Sequence, residues 1–154
     1  MKNSKPHINP QHQPALSIRQ PWAELILRGV KTIELRKWQT DYRGLLWLHA
    51  AKTFDPSAPL PPNGEEPFRG GFVGCAELES ILPIDEQRWE KWRNQHCDTG
   101  SFVPGMYAWL ISNVLRFKEP IVARGFPKLF YPHPEEIDQL LEAKMKQCDR
   151  TRPN

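Results

Sequence analysis

Residues 17–38 read SIRQPWAELILRGVKTIELRKW, and this stretch decides how the start of the chain folds. Pro21 suits the first position of a helix, where its missing N–H needs no partner, and Gly29 suits the position just past a helix end. The residues between them repeat with the spacing of one apolar helical face: Trp22, Leu25 and Ile26. The pattern predicts a short helix over residues 21–28.

The second half of the stretch alternates between polar and apolar residues, which is typical of a half-buried strand. A strand over residues 32–36 directs Ile33 and Leu35 inward, and its other face carries Thr32, Glu34 and Arg36. Lys31 precedes the strand, but its long stem can reach over that polar face. We therefore expect Lys31, Glu34 and Arg36 to point toward one cleft.

A turn signal, DYRG, leads into the apolar run LLWLHAA, which predicts a buried strand over residues 45–50. This strand ends near His49 and Lys52. We expect the His49 end to face the same cleft as Glu34 and its neighbours. Residues 53–70 hold five prolines and two glycines, a composition typical of a long surface loop.

Further strands and helices are indicated downstream. Strands are predicted in residues 70–84, 105–117 and 120–125, an amphipathic helix in residues 85–96 and a last helix in residues 132–147. Helices occur at the start, middle and end, without regular alternation with strands. The sequence therefore predicts an α+β fold built on a small, mostly antiparallel β-barrel with flanking helices.

The totals describe one domain. The chain has 154 residues, 39% hydrophobic and 25% charged, which suits a single core. We expect an N-terminal tail over residues 1–14, a domain over residues 15–147 and a C-terminal tail over residues 148–154. No apolar run approaches the roughly 20 residues of a membrane span, and the polar start does not resemble a signal peptide, which predicts a cytoplasmic protein.

The three cysteines are widely spaced and form no C-x-x-C pair. This spacing argues against a disulfide framework and against a zinc knuckle. The histidines of the polar start have no cysteine or carboxylate beside them. The sequence predicts reduced thiols, no metal site and no cofactor.

Charge is distributed unevenly along the chain. Residues 1–52 carry nine Lys or Arg against three Asp or Glu, whereas residues 53–102 carry four against nine. A locally positive surface attracts polyanions such as nucleic acid. The basic end of the chain is also the end that holds residues 17–38.

The blocks LSIRQPWAELILRGVKTIELRKW and YRGLLWLHAAK resemble the ASCH domain family. Looser matches continue through GFVGCAELES, YAWLISNVLRF and PIVARGFPKLF, so the resemblance covers residues 15–131. It implies a PUA-like small barrel with a cleft between its first helix and the sheet. The family is known mainly for domains assigned to RNA binding, while one branch hydrolyses amides of acylated cytidine and another has been described as a ribonuclease.

The amide-hydrolase branch has a Lys and a Thr three residues apart, with a separate acidic residue later. Lys31 matches the Lys, but Glu34 stands where the Thr would be. In an enzyme, Lys31 could serve as a base, with Glu34 orienting it or activating water, and Glu77 is the candidate for the later acid that the resemblance implies. The missing Thr weakens that reading. Ser17 and Thr32 are alternative nucleophiles, but no spacing in the sequence pairs either one with a base.

A ligand that carries both a base and phosphates needs cations, a carboxylate and a stacking face. The candidate binding residues are Arg19, Gln20, Trp22, Lys31, Glu34, Arg36, His49, Lys52 and Trp109. Core packing of the two tryptophans and a plain ion pair at Glu34 are the competing interpretations. We expect a binding domain for RNA, single-stranded nucleic acid or a nucleotide-like ligand. A small hydrolase of an acylated nucleoside or of RNA is the alternative, and a protein-interaction module is a third.

Overall fold

A computed structural model describes residues 12–59 and 64–150 of the chain, with side chains described as far as residue 147. Its elements follow in chain order: β1 (Ala15–Gln20), α1 (Trp22–Leu27), β2 (Ile33–Arg36), β3 (Gly44–Phe54), β4 (Gly71–Pro83), α2 (Glu86–Lys91), α3 (Arg93–His96), β5 (Tyr107–Val122), β6 (Leu129–Phe130) and α4 (Pro134–Arg150). The fold is α+β, as the sequence predicts.

Six strands form one curled sheet, a half-barrel, in the order β2-β5-β4-β3-β1-β6. The pairing is antiparallel throughout these strands except between β1 and β3, which run parallel. The parallel register sets Ser17 of β1 opposite His49 of β3. Antiparallel pairing of β2 with β5 sets Glu34 opposite Trp109. These registers determine which side chains meet at the site described below.

The elements of the opening stretch match their predictions. The helix expected over residues 21–28 is α1, and the strands expected over 32–36 and 45–50 are β2 and the centre of β3. The apolar face of α1 is buried, with Ala23, Leu25 and Ile26 each at most 3% exposed. Burial of that face holds α1 against β1, β3 and β5 of the sheet, because apolar surface leaves water there.

Two downstream elements differ from their predictions. The helix expected over residues 85–96 is two short helices, α2 and α3, of which α2 is capped by Asp85 through a bond from the Arg88 amide at 2.8 Å. The strands expected over 105–117 and 120–125 are replaced by the single strand β5, which ends at Val122, so residues 123–125 lie beyond it. Pro120 lies where β5 pairs irregularly with β4, so its missing N–H removes no regular ladder bond.

Large aromatic side chains fill the core on both faces of the sheet. Trp47, Trp89 and Trp109 are fully buried or nearly so.

The residues just before β1 pack against the domain, since Gln13 is buried and the Pro14 carbonyl accepts from the Trp47 amide at 2.9 Å. Most of the predicted N-terminal tail lies outside the described residues, as does the end of the C-terminal one. No helix in the described parts of the chain is long and apolar enough to cross a membrane.

Candidate functional site

Two adjoining cavities lie where β1, β2 and the start of α1 meet the end of β3. The smaller has a volume of about 230 Å³ and the larger about 760 Å³. Three residues belong to the lining of both cavities: Ser17, Arg19 and Arg36. We call them the inner cavity and the outer cavity, and the shared residues form the boundary between them.

Lys31 lies at the base of the inner cavity and is only 2% exposed. Its Nζ donates to the carbonyl oxygens of Ile33 and His96, each at 2.7 Å, and lies 3.5 Å from Glu34 Oε1. The same Nζ stands 4.8 Å from the centre of the Trp22 ring. Burial lowers the pKa of Lys31, while the negative charge of Glu34 opposes that shift.

Glu34 joins the two cations of β2 and its preceding turn. Its Oε2 accepts from Arg36 Nη2 at 2.9 Å and from Arg36 Nε at 3.2 Å, and its Oε1 accepts from the Leu35 amide at 3.2 Å. Burial alone would raise the pKa of Glu34, but the charges of Arg36 and Lys31 outweigh it and hold the pKa below its usual value. Glu34 is therefore a buried carboxylate that stays ionised.

These contacts place a donor or a cation against each oxygen of Glu34. A carboxylate offers about four lone-pair directions. One oxygen faces the Leu35 amide and Lys31, and the other faces two nitrogens of Arg36. Glu34 thus acts by holding Arg36 in place. Arg36 Nη2 also donates to the Ser17 carbonyl at 3.0 Å, which fixes the guanidinium at the boundary between the cavities.

Trp22 and Asp55 form the wall of the inner cavity on the side of α1. Trp22 Nε1 donates to Asp55 Oδ2 at 3.0 Å, and Arg19 Nη2 lies 3.6 Å from the same oxygen. Hydrogen bonds from Ser57 and Trp22 lower the pKa of Asp55. This chain of contacts orients the indole of Trp22 with its edge bonded and part of its surface in the cavity.

The outer cavity is strongly basic. Its lining includes five cationic residues and no Asp or Glu: Arg19, Arg36, Lys52, Arg124 and Lys128. Within the described parts of the chain, no salt bridge engages Lys52, Arg124 or Lys128. Phe126, 37% exposed, lies in the same lining, and the Arg124 guanidinium stands 5.1 Å from its ring centre. The surface combines free positive charge with an aromatic face.

Ser17 and His49 are hydrogen-bonded across the parallel pair β1 and β3. Ser17 Oγ and His49 Nδ1 are 2.9 Å apart, and His49 Nε2 lies 2.8 Å from the Ala123 carbonyl oxygen. A carbonyl can only accept, so Nε2 carries the ring proton and Nδ1 accepts from the serine hydroxyl. Burial lowers the pKa of His49, although the Ala123 bond and the charge of Glu136 oppose that shift.

Most of the sequence-predicted site residues lie at these cavities. The inner cavity is lined by Arg19, Trp22, Lys31, Glu34 and Arg36, and the outer cavity by Arg19, Arg36, His49 and Lys52. The expected single cleft is therefore two spaces that meet at Arg36. His49 and Glu34 line different spaces.

Three of the predicted residues are not brought to either cavity. Gln20 is 1% exposed, and its amide bonds the Phe68 carbonyl and the Glu24 amide, so it anchors the start of α1. Trp109 is fully buried and packs edge-on against Trp38 at 4.7 Å. Glu77 of β4 accepts from Asn113 at 2.9 Å and does not line the space that holds Lys31.

Sequence reasoning missed several residues of the lining. Asp55, His96, Asp98 and Met106 complete the inner cavity, and residues 122–128 form a side of the outer one. The run ARGFPK, residues 123–128, places two cations around a Gly-Phe pair, a local signal that can be recognised in retrospect. Ser17 and His49 are 32 residues apart, and only the parallel pairing of their strands joins them.

Comparison with known proteins agrees with this architecture. The ASCH structure of Zymomonas mobilis superposes with a TM-score of 0.63 at 17% identity, over 87% of this chain and 96% of that one. A mutant form of that protein gives a TM-score of 0.60 at 17% identity, over 84% of this chain and 96% of that one. At such low identity these likenesses show the fold.

The chain is also similar to two mammalian proteins. It is 54% identical over 130 residues to activating signal cointegrator 1 of Mus musculus and 27% identical over 130 residues to that of Homo sapiens. In each case the match covers 75% of this chain and 21% of the relative, so the chain spans about a fifth of their length. The model of the ASCH domain matches residues 16–121, which is more than half of the chain. The chain belongs to the ASCH domain family.

Proposed function

We propose that this chain binds a single-stranded nucleic-acid segment or a nucleotide, with phosphates in the outer cavity and a base at its boundary with the inner cavity. The carrying observation is the outer lining, which holds five cations and no carboxylate; three of these cations, Lys52, Arg124 and Lys128, form no salt bridge with any described residue. Exposed cations that lack carboxylate partners attract phosphates and release counterions when they bind them. ASCH membership and the likeness to activating signal cointegrator 1 support the same class of ligand.

The cations expected to bind phosphate are those that form no salt bridge with a carboxylate of the protein. Lys52, Arg124 and Lys128 have no carboxylate partner among the described residues. Arg19 is partly held by Asp55 at 3.6 Å, and its side chain is 58% exposed. The free cations lie on β3 and on residues 122–128, so a bound backbone follows the groove between those two segments.

Base recognition falls to the aromatic ring and the fixed guanidinium. Phe126 presents a partly exposed ring to the outer cavity. Stacking of a base on such a ring contributes about 1–3 kcal/mol. Arg36 is locked by Glu34 and by the Ser17 carbonyl through Nε and Nη2, which leaves the Nη1 edge to donate to a base carbonyl or a phosphate. Base preference therefore depends on Arg36, with Glu34 as its support.

The test is a titration of fluorescently labelled, mixed-sequence oligoribonucleotides, followed by anisotropy at several salt concentrations. Affinity is expected to fall as salt rises, with each neutralised phosphate contributing about −0.7 to the slope of log K against log salt. Lys52→Ala is expected to flatten that slope by about one such step. Lys118→Ala removes the same charge from an exposed position outside both cavities, and is expected to leave the slope unchanged.

Two outcomes contradict the proposal. The first is that oligoribonucleotides, oligodeoxyribonucleotides and free nucleotides all leave the anisotropy unchanged at low salt. This result excludes nucleic acids and nucleotides as ligands. An equal change of slope in Lys52→Ala and Lys118→Ala instead locates binding away from the outer cavity.

A further inference from the structure

We propose that Ser17 and His49 form a nucleophile–base pair that hydrolyses carboxylic esters bearing a negative charge. The pair lies in the lining of the outer cavity, and Ser17 also lines the inner one. This activity is separate from nucleic-acid binding, and it uses neither Lys31 nor Glu77.

The geometry of the pair is that of an activated serine. A nucleophilic hydroxyl needs a base within about 2.6–3.2 Å and a third group that orients the base. Ser17 Oγ and His49 Nδ1 are 2.9 Å apart, and the Ala123 carbonyl accepts from Nε2 at 2.8 Å. The carbonyl therefore fixes the tautomer in which Nδ1 is free to take the serine proton.

The fold holds the imidazole tightly. His49 is 2% exposed, and its ring packs edge-on against Phe72 and Phe130 with centroids 5.4 and 5.8 Å away. Gly125 lies over the pair, and a Cβ there would be 2.5 Å from His49 Cε1 and 2.9 Å from Ser17 Oγ. The backbone after β5 can approach this closely only because residue 125 has no side chain.

Ser17 is the accessible member of the pair. It is half-buried and lines both cavities, while His49 lies behind it. Arg36 Nη2 donates to the backbone carbonyl of Ser17 at 3.0 Å, so its positive charge is held at the boundary of the two cavities that Ser17 also lines. That charge can stabilise the oxyanion of a tetrahedral intermediate, and the other cations of the outer cavity favour an anionic ester.

The reaction proceeds in two balanced steps. Ser17 Oγ bonds to the ester carbonyl carbon as its proton passes to His49 Nδ1, and the carbon–oxygen bond to the alcohol breaks as Nδ1 returns that proton to the leaving oxygen. Water then adds to the acyl-serine while Nδ1 takes a water proton. The carbon–Oγ bond breaks, Ser17 recovers its proton, and a carboxylic acid is released. Water is the co-reactant, and no redox change occurs.

The first experiment treats the protein with an alkyl fluorophosphonate and measures its intact mass, followed by peptide mapping. A single adduct on Ser17 is expected. Ser17→Ala is expected to lose it, and His49→Asn to slow its formation at least tenfold. Ser112→Ala is the matched control, because Ser112 bonds Glu79 at 2.7 Å on a strand face away from both cavities and is expected to label like wild type.

The second experiment compares hydrolysis of 2-nitrophenyl acetate with that of 3-acetoxy-4-nitrobenzoate, which adds a carboxylate to the same ring. The anionic ester is expected to react faster, with the advantage shrinking as salt rises. The rate is expected to decline only in acid, as His49 becomes protonated. Glu136 of α4 favours protonation of His49, and the cations Arg36, Lys52 and Arg124 line the same cavity as its ring.

The proposal is overturned if Ser17 carries no adduct in protein whose melting curve shows it folded. It is also overturned if Ser17→Ala and wild type hydrolyse both esters at the same rate. His49→Asn can fail to fold, and for that reason the decision rests on Ser17→Ala, which removes one oxygen atom from a half-buried position.

Discussion

The inner and outer cavities share Ser17, Arg19 and Arg36, yet they hold charge in opposite ways. In the inner cavity the charges are buried and matched, with Glu34 between Lys31 and Arg36. In the outer cavity the cations Lys52, Arg124 and Lys128 face no carboxylate of the lining. Matched, buried charge fixes geometry, whereas unmatched, exposed charge attracts a partner. The comparison suggests that the inner cavity positions the groups that the outer cavity uses.

The largest expected effect is a loss of stability when the matched charges of the inner cavity are separated. Glu34→Ala leaves the buried Lys31 ammonium without its carboxylate, and removing one partner of a buried pair costs about 3–5 kcal/mol of unfolding free energy. Urea denaturation measures the loss. Combining Glu34→Ala with Lys31→Met is expected to cost less than the sum of the two single changes. A loss below about 1 kcal/mol for Glu34→Ala contradicts a matched, buried pair.

Acid is expected to weaken the inner cavity to a smaller extent, because a protonated Glu34 keeps its oxygen atoms in place. The pKa of Glu34 is lowered in the folded protein, so its contribution is complete above the unfolded value of 4.5 and is lost as pH falls through the folded value. Glu24 behaves in the same direction, since Arg116 and Arg28 lower its pKa despite burial. Wild type is therefore expected to lose more stability than Glu34→Gln between neutral and acidic pH.

Thermal melts of both proteins across that pH range check this prediction. Glu24 is unchanged in the variant, so its contribution cancels when the two curves are subtracted. Parallel curves for wild type and Glu34→Gln mean that Glu34 is not held ionised by its neighbours.

Packing of the outer wall offers a third test. Gly125→Ala places a Cβ 2.5 Å from His49 Cε1, and such overpacking costs about 1–3 kcal/mol. The strain is expected to displace residues 122–128 and to weaken oligoribonucleotide binding, while the inner cavity keeps its contacts. Melting curves and anisotropy titrations report the two effects.

A last test, with an expected effect of similar size, concerns the aromatic face of the outer cavity. Phe126→Ala is expected to weaken oligoribonucleotide binding by about 1–3 kcal/mol, because a stacked base loses its platform. The ring also packs against Phe130 at 5.6 Å, so Phe126→Leu serves as a control that keeps apolar contact without a flat face. Equal affinities for wild type and Phe126→Ala would show that no base stacks there.

Local pattern was enough to predict much of the fold. Alternation in residues 32–36 and helical spacing after Pro21 depend on neighbours in sequence, and both elements form where they are expected. The break between α2 and α3 and the continuity of β5 depend on contacts with other parts of the chain. Periodicity cannot show where a strand finds a partner, so such features were not predicted.

The site residues likewise include some that local sequence predicts and some that depend on contacts between distant parts of the chain. Lys31, Glu34 and Arg36 were predicted together because they occupy one strand face and the turn before it. Trp109 and Gln20 were predicted as ligand contacts from their residue types, but both side chains form their hydrogen bonds inside the protein. Trp109 donates to the Trp38 carbonyl, and the Gln20 amide bonds the Phe68 carbonyl and the Glu24 amide. The pairing of Ser17 with His49 requires the parallel register of two strands. No local spacing encodes that register.

The position of Arg36 at the boundary of both cavities makes their occupancies interdependent. A small anion that neutralises this guanidinium from one side weakens its pull on a second anion from the other side, and by linkage the effect is mutual. Two separate small anions therefore compete, although their binding spaces are distinct. One longer ligand that reaches into both cavities avoids this competition, because only one anionic group of that ligand needs to contact the Arg36 guanidinium. The shared arginine thus favours extended ligands over pairs of small ones.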